Sequence, residues 1–295
     1  MGSTHDSTRL TREAVLRWGR PRLRDLPWRR TRDPWSILVA ETMLQQTQVV
    51  RVVDRYGEFL ARFPTTAACS AAQVGDVVRA WVGLGYNRRA VSLHAAATTV
   101  EDAWCGEWRR DVTGLRTLPG VGPYTARAIM VFAFELPVAV VDTNVARVLA
   151  RTVGRGLGVD EAQTMADRLA DADDPWSWNQ ILLDLGATVC TARRPACDEC
   201  PVASVGACVW RAGGQVGPDP ATGSAGVSGG QSRFEGSDRQ GRGRLVDALR
   251  VAPVSQAALG PAMGWPDDRA RAQRVAARLL RDGVAVVVDG EYRLP

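Results

Sequence analysis

Over the first two thirds of the chain, apolar residues return at helical spacing in short runs broken by glycine and proline. The pattern predicts helices over 9–18, 34–53, 56–62, 65–68, 71–81, 86–101, 111–116, 123–135, 143–153, 160–171 and 175–189. Breaks fall at Pro64, Gly83, Gly85, Pro119 to Gly122, Pro137 and Gly154. No stretch before residue 205 carries convincing strand alternation, and no repeat is visible. The class expected is all-α.

The pattern stops at Arg211. Glycine, proline and serine dominate to about Gly243, which predicts a flexible linker over 211–243. Periodicity then returns in LVDALR, SQAALGPAM and DDRARAQRVAARLLRDG, three short helices. In VAVVVDGEYRLP two apolar stretches flank Asp289-Gly290, a hairpin turn signal. Helices and hairpin together predict a small winged-helix-like module over 244–295, with Arg269, Arg271, Arg274, Arg278 and Arg281 recurring along its last helix.

The segment expected as one helix over 34–53 is apolar nearly all round, with Ile37, Leu44 and Val52 on one side and Val39, Met43 and Val50 on the other. It nevertheless carries Glu41, Gln45, Gln46 and Gln48. A carboxylate inside a domain is costly unless paired, hydrogen-bonded or protonated, so Glu41 is a candidate proton donor whose apolar setting raises its pKa. A second carboxylate, Asp142 in VVDTNVARVLAR, falls at the N-cap position of a helix. It either caps that helix or, held ionised by amide N–H groups and the dipole, also stabilises positive charge. Two carboxyls whose surroundings separate their pKa values make an acid and a charge stabiliser.

Composition sharpens this picture at three points. The net charge of the 295-residue chain is +5, which is compatible with a nucleic-acid partner, and residues 9–32 hold nine arginines against Glu13 and Asp25. All 37 basic residues are arginine, so no lysine is present to form a Schiff base. No apolar run is long enough to cross a membrane, and the first residues lack an apolar signal core, so the expectation is a cytoplasmic protein.

Two motifs remain. In TLPGVGPYTARAI, residues 117–129, Gly120 and Gly122 permit a tight turn and Pro123 suits the first position of the next helix. Such a turn either joins two helices or presents backbone N–H groups to a phosphate. Cys190, Cys197, Cys200 and Cys208 lie within CTARRPACDECPVASVGAC, four thiols that suit tetrahedral zinc or a 4Fe–4S cluster. Arg193 and Arg194 sit in the loop such ligands would pin, where they could meet phosphates. Cys69 and Cys105 read as small core residues.

Taken together, LPWR (26–29), AETMLQQTQV, GLGY (83–86), LPGVGPYTA, VDTNVARVLAR, NQILLDLGA and the cysteine loop resemble the MutY-type adenine DNA glycosylases of the endonuclease III superfamily, a helix-hairpin-helix family, from about Arg24 to Trp210. The resemblance implies a six-helix barrel domain with the helix-hairpin-helix over 29–135 and a 4Fe–4S helical domain over 136–210, preceded by a basic arm over 1–28. It implies a monomeric base excision repair enzyme of the bacterial nucleoid. Its substrate is adenine opposite 8-oxoguanine or guanine in double-stranded DNA, flipped out before hydrolysis.

By position, Glu41 protonates adenine N7, Asp142 stabilises the oxocarbenium-like sugar, and Asn144 and Tyr124 assist. Gln46, Leu84 and Tyr86 wedge into the stack, and Trp28 and Arg29 border the base pocket. Tyr124 stands where strand-cutting relatives carry lysine, which implies a monofunctional enzyme leaving an abasic site. The tail is shorter than the Nudix-like domain common in the family, the last cysteine interval is longer than usual, and Thr143 and Asn87 depart from common residues. Rival readings are a thymine or uracil mismatch glycosylase of the same superfamily, and a non-catalytic iron–sulfur DNA-binding protein.

Overall fold

The computed structural model describes residues 2–225 and 233–295, with side chains from residue 11 onward. Its helices are α1 (Gly2–Gly19), α2 (Pro34–Leu44), α3 (Val49–Arg62), α4 (Thr66–Ser70), α5 (Val74–Ala80), α6 (Arg88–Trp104), α7 (Val112–Leu115) and α8 (Pro123–Phe132). They continue with α9 (Thr143–Val153), α10 (Val159–Leu169), α11 (Pro175–Asp184), α12 (Pro201–Ser204), α13 (Val209–Ala212), α14 (Asp238–Val251), α15 (Leu259–Met263) and α16 (Arg269–Arg281). Among the described residues, three short strands, β1 (Val254–Ser255), β2 (Val286–Val288) and β3 (Glu291–Arg293), all lie near the C-terminus. No helix among the described residues is long and apolar enough to cross a membrane.

The chain divides into two compact units, Met1–Pro34 with Gly122–Gly229 and Trp35–Val121 with Gly230–Pro295. The domain bounds expected from the sequence were 28 and 135; α8, which crosses neither, packs on α11 within the first unit. The observed division also joins the C-terminal module to the second unit instead of leaving it separate.

In the first unit Val145, Leu149, Trp178, Ile181 and Leu185 form a core on which α1 also packs. The stretch NQILLDLGA is explained side chain by side chain. Asn179 Oδ1 accepts from Val140 N at 2.8 Å while its Nδ2 donates to Val138 O at 3.0 Å, fixing the segment that leads into Asp142. Asp184 receives Arg29 and Arg24. Gly186 lies in a π-turn over Leu185–Val189, where an added Cβ would come within 2.6 Å of Asn144 Cβ.

Much of the expected linker is ordered. Asp219 bonds Arg151, Ala225 N donates to Leu157 O at 2.8 Å, and Ser237 caps α14, so helix resumes at Asp238 and not near 244. Residues 226–232 of that expectation lie outside the described residues.

The second unit buries Trp35, Val52, Phe59, Trp81, Leu93 and Leu118. Trp81 meets Phe59 edge-on at 5.8 Å, and Trp35 Nε1 donates to Phe63 O at 2.9 Å. The expected helix over 34–53 is two helices. α2 ends at Leu44 and α3 begins at Val49 behind Gln48, because Gln46 takes φ 57°, a left-handed conformation that no α-helix passes through. Cys69 is buried as expected, whereas Cys105 is exposed, terminating α6 at φ 54°.

In the module, α14, α15 and α16 pack on one another beside an antiparallel sheet of order β1-β3-β2. Asp289 at φ 53° and Gly290 at φ 78° make the hairpin turn the sequence predicted. Arg250 donates to Val78 O at 3.1 Å and to Asn87 Oδ1 at 3.0 Å, and Gly75 N donates to Pro295 O at 2.8 Å. The module is therefore docked on α5 and the start of α6. Its arginine row is partly used internally, since Arg271 stacks on Trp265 at 4.0 Å and bonds Asp238.

Candidate active site

Glu41 lies in the second unit, midway along α2. Every residue from Ile37 to Met43 is buried, and Glu41 itself is 7 % exposed. Just beyond the end of α2 the chain turns through Gln45–Gln48, leaving Gln46 exposed. This turn, the loop Gly83–Tyr86 and Gly120 line one cavity of about 1110 Å³, which Arg239, Arg242, Arg250 and Arg278 of the module also line. Gln46, Leu84, Tyr86 and Gly120, all expected on the DNA, thus share one surface. Tyr86 is 41 % exposed, but Leu84 is 5 % exposed, so of the three residues expected to wedge into the stack, Leu84 alone is buried.

The turn into α8 separates two kinds of glycine. Gly120 has φ +79°, and a Cβ there would come within 2.8 Å of Ser92 Cβ. Gly122, the N-cap of α8, has φ −90°, and a Cβ would meet nothing within 4 Å. Folding therefore requires the first glycine, while the second leaves open space before a helix N-terminus, where an anion is favoured.

Asp142 lies in the first unit and caps α9. Its Oδ1 accepts from Asn144 N and Val145 N, each at 2.8 Å, and its Oδ2 accepts from Asn144 Nδ2 at 2.7 Å. Burial nonetheless pushes the carboxyl above its ordinary value, against these bonds and the charge of Arg147, which corrects the expectation that its surroundings only favour the anion. Asn144 Oδ1 in turn accepts from Arg147 Nη2 at 2.8 Å, and Arg147 Nε donates to Cys190 O at 2.6 Å. A short chain of polar contacts thus runs from Asp142 to the cysteine loop. Tyr124, half-buried in the first turn of α8, belongs to the same unit.

Arg29, expected beside the base pocket, is engaged within the first unit. It is 8 % exposed, donates to both oxygens of Asp184 at 2.7 and 2.9 Å, and binds the Arg24 carbonyl, which leaves its fork committed within the fold. Trp28 beside it is buried too.

Cys190, Cys197, Cys200 and Cys208 line one small cavity. Among the described residues no three His, Cys, Asp or Glu side chains are grouped to hold a single metal ion. Arg151, 2 % exposed, donates to Cys190 Sγ at 3.3 Å, Gln215 Nε2 donates to Cys197 Sγ at 3.3 Å, and burial raises the Cys190 thiol against Arg151. N–H donors aimed at sulfur suit thiolates ligating a 4Fe–4S cluster. Arg193 and Arg194 are exposed in the loop between the first two ligands.

Sequence reasoning missed Arg147, Arg151 and Asp184. The signal was present, since arginines four apart in an otherwise apolar helix must be buried with partners.

Residues 39–168 match the HhH-GPD superfamily base excision DNA repair proteins, and residues 190–205 match the iron–sulfur binding domain of endonuclease III. The chain is 42% identical over 294 residues to adenine DNA glycosylase of Mycobacterium tuberculosis (strain ATCC 25618 / H37Rv), covering 95% of this chain and 92% of that one. It is equally similar, at 42% over 289 residues, to adenine DNA glycosylase of Mycolicibacterium smegmatis, covering 95% and 94%. Among solved structures, a thermostable thymine-DNA glycosylase superposes with TM-score 0.67 at 28% identity, covering 72% of this chain and 99% of that one. A trapped endonuclease III–DNA covalent intermediate, at 23% identity and TM-score 0.60, shares the fold over 70% of this chain and 98% of that one.

Proposed function

Because the chain belongs to the adenine DNA glycosylases of the HhH-GPD base excision repair superfamily, we propose that it hydrolyses the N-glycosidic bond of adenine mispaired with 8-oxoguanine or guanine in duplex DNA. Glu41 gives a proton to adenine N7, which makes the base a better leaving group. Asp142 stabilises the positive charge that develops on the sugar, and water completes the hydrolysis. Gln46 and Tyr86 occupy the place of the extruded base, and the open turn at Gly122 receives a phosphate.

The observation that carries this reading is the pair of unlike carboxyls. Asp142 is fixed by three N–H donors, an arrangement that suits a developing cation. Glu41 is buried in an apolar helix, which suits a proton donor. A pyrimidine has no N7 to protonate, so the similarity to a thymine-DNA glycosylase does not account for Glu41.

With Tyr124 on α8 and no lysine in the chain, no side-chain Schiff base forms, and the product is an intact abasic strand. Cys190, Cys197, Cys200 and Cys208 would hold a 4Fe–4S cluster, which would cross-link their loop when bound. Arg193 and Arg194 in that loop meet phosphates, and Arg147 ties the Cys190 carbonyl to Asn144. The enzyme acts as a monomer.

The test is single-turnover base release from duplexes carrying A opposite 8-oxoguanine, A opposite G, T opposite G and U opposite G, with strands analysed before and after alkali. Adenine release with cleavage only after alkali is expected. Release confined to thymine or uracil would promote the pyrimidine reading instead.

A further inference from the structure

We infer that Arg89 is a positioning residue that locks together the two turns which probe the duplex, Gln45–Gln48 and Gly83–Tyr86. The inference rests on the base-release reading above and concerns how that reading opens the helix.

One guanidinium serves both turns. Nη1 donates to Thr42 O at 2.7 Å, to Met43 O at 3.0 Å and to Gln45 O. These are carbonyls that the end of α2 leaves without helical partners. Nη2 donates to Thr47 Oγ1 at 3.1 Å, Leu84 O at 3.0 Å and Gly85 O at 3.2 Å. The Thr47 hydroxyl bridges the same gap, reaching Leu84 O at 3.3 Å. The guanidinium also lies 5.5 Å from the ring centres of both Trp81 and Tyr86.

Both probing residues have backbones that need such a clamp. Gln46 at φ 57° and Tyr86 at φ 46° are left-handed without being glycine, a conformation that persists only where the surroundings over-determine it. Burial lowers the Arg89 pKa to about 10, so it stays cationic at neutral pH and complements the negative end of the α2 dipole. A lysine cannot replace it, because three donors on one nitrogen do not reproduce a planar fork that spans two turns.

If the clamp serves duplex opening, its loss matters where adenine must be extruded from a pair and not where adenine is already unpaired. The experiment compares the parent, Arg89→Lys and Thr47→Val in single-turnover release from two duplexes. One carries A opposite G, the other A opposite a tetrahydrofuran abasic site, and burst amplitude counts the active molecules.

Arg89→Lys is expected to slow release from the paired duplex about 100-fold, the effect of misplacing a site by about 1 Å. From the unpaired duplex the slowing is expected to be only a few-fold. Thr47→Val should shift the same ratio in the same direction by less. Equal slowing on both duplexes, or none, overturns the inference. Should Arg89→Lys give no active fraction, the ratio for Thr47→Val decides in the same way. A parent that releases adenine from neither duplex removes the base-release reading and this inference with it.

Discussion

At the scale of single residues, Asp142 and Arg29 separate function from stability. Burial raises the Asp142 carboxyl, so ionisation disfavours the fold as pH climbs from the unfolded value, about 3.9, through the folded one. Asp142→Asn keeps an oxygen for the Asn144 and Val145 amides but sets an amide nitrogen against Asn144 Nδ2. The parent's Tm advantage over it is therefore expected to shrink as pH climbs through the folded value, with base release lost. An advantage that grows with pH would show that the carboxylate is retained as a cap. Asp184 has the opposite sign. Burial raises it, but Arg29 and Arg24 outweigh this and hold it below the usual carboxylate range. Its contribution is therefore complete above about pH 3.9 and lost as pH falls through the depressed folded value. Arg29→Met should cost about 3 kcal/mol at pH 7 in urea unfolding and flatten the acid limb. A loss confined to activity would return Arg29 to the base pocket.

At the scale of elements, the helices were legible because their apolar periodicity is local, and α9, with its Asp142 cap and Gly154 end, was legible to the residue. The break between α2 and α3 was not. It turns on Gln46 at φ 57°, beside the Gln45 carbonyl that Arg89 meets across 44 residues of sequence. The three glutamines therefore belong to a turn and not to a buried face. The helix-hairpin-helix turn was visible as LPGVGPYTA, but the different duties of its glycines were not. Gly120→Ala, at φ +79° and against Ser92, should destabilise by roughly 1–3 kcal/mol. Gly122→Ala should unfold within about 0.5 kcal/mol of the parent yet bind duplex more weakly. Equal stability losses would make both glycines structural.

At the scale of the whole molecule, the family and its cofactor were readable from the order of motifs, whereas the division into units was not, because it depends on long-range packing. The C-terminal module illustrates this. Its helices and hairpin were local signals, but its docking through Arg250, Asn87 and Pro295 was carried by no periodicity. The cysteine loop links scales, since Arg147 and Arg151 tie it to the helix that bears Asp142. Cys200→Ala, with its iron content measured, is expected to lose the cluster and free Arg193 and Arg194. The slope of log affinity against log salt should then become shallower by about 2. An unchanged slope would remove those arginines from the DNA interface.

Glu41, buried on α2, is the proposed acid for adenine departure. The decisive experiment is single-turnover adenine release from the A opposite G duplex by the parent and Glu41→Gln, with duplex affinity measured alongside. Release is expected to fall about 10²–10⁴-fold with affinity retained. Release at the parent's rate would rule Glu41 out as that acid.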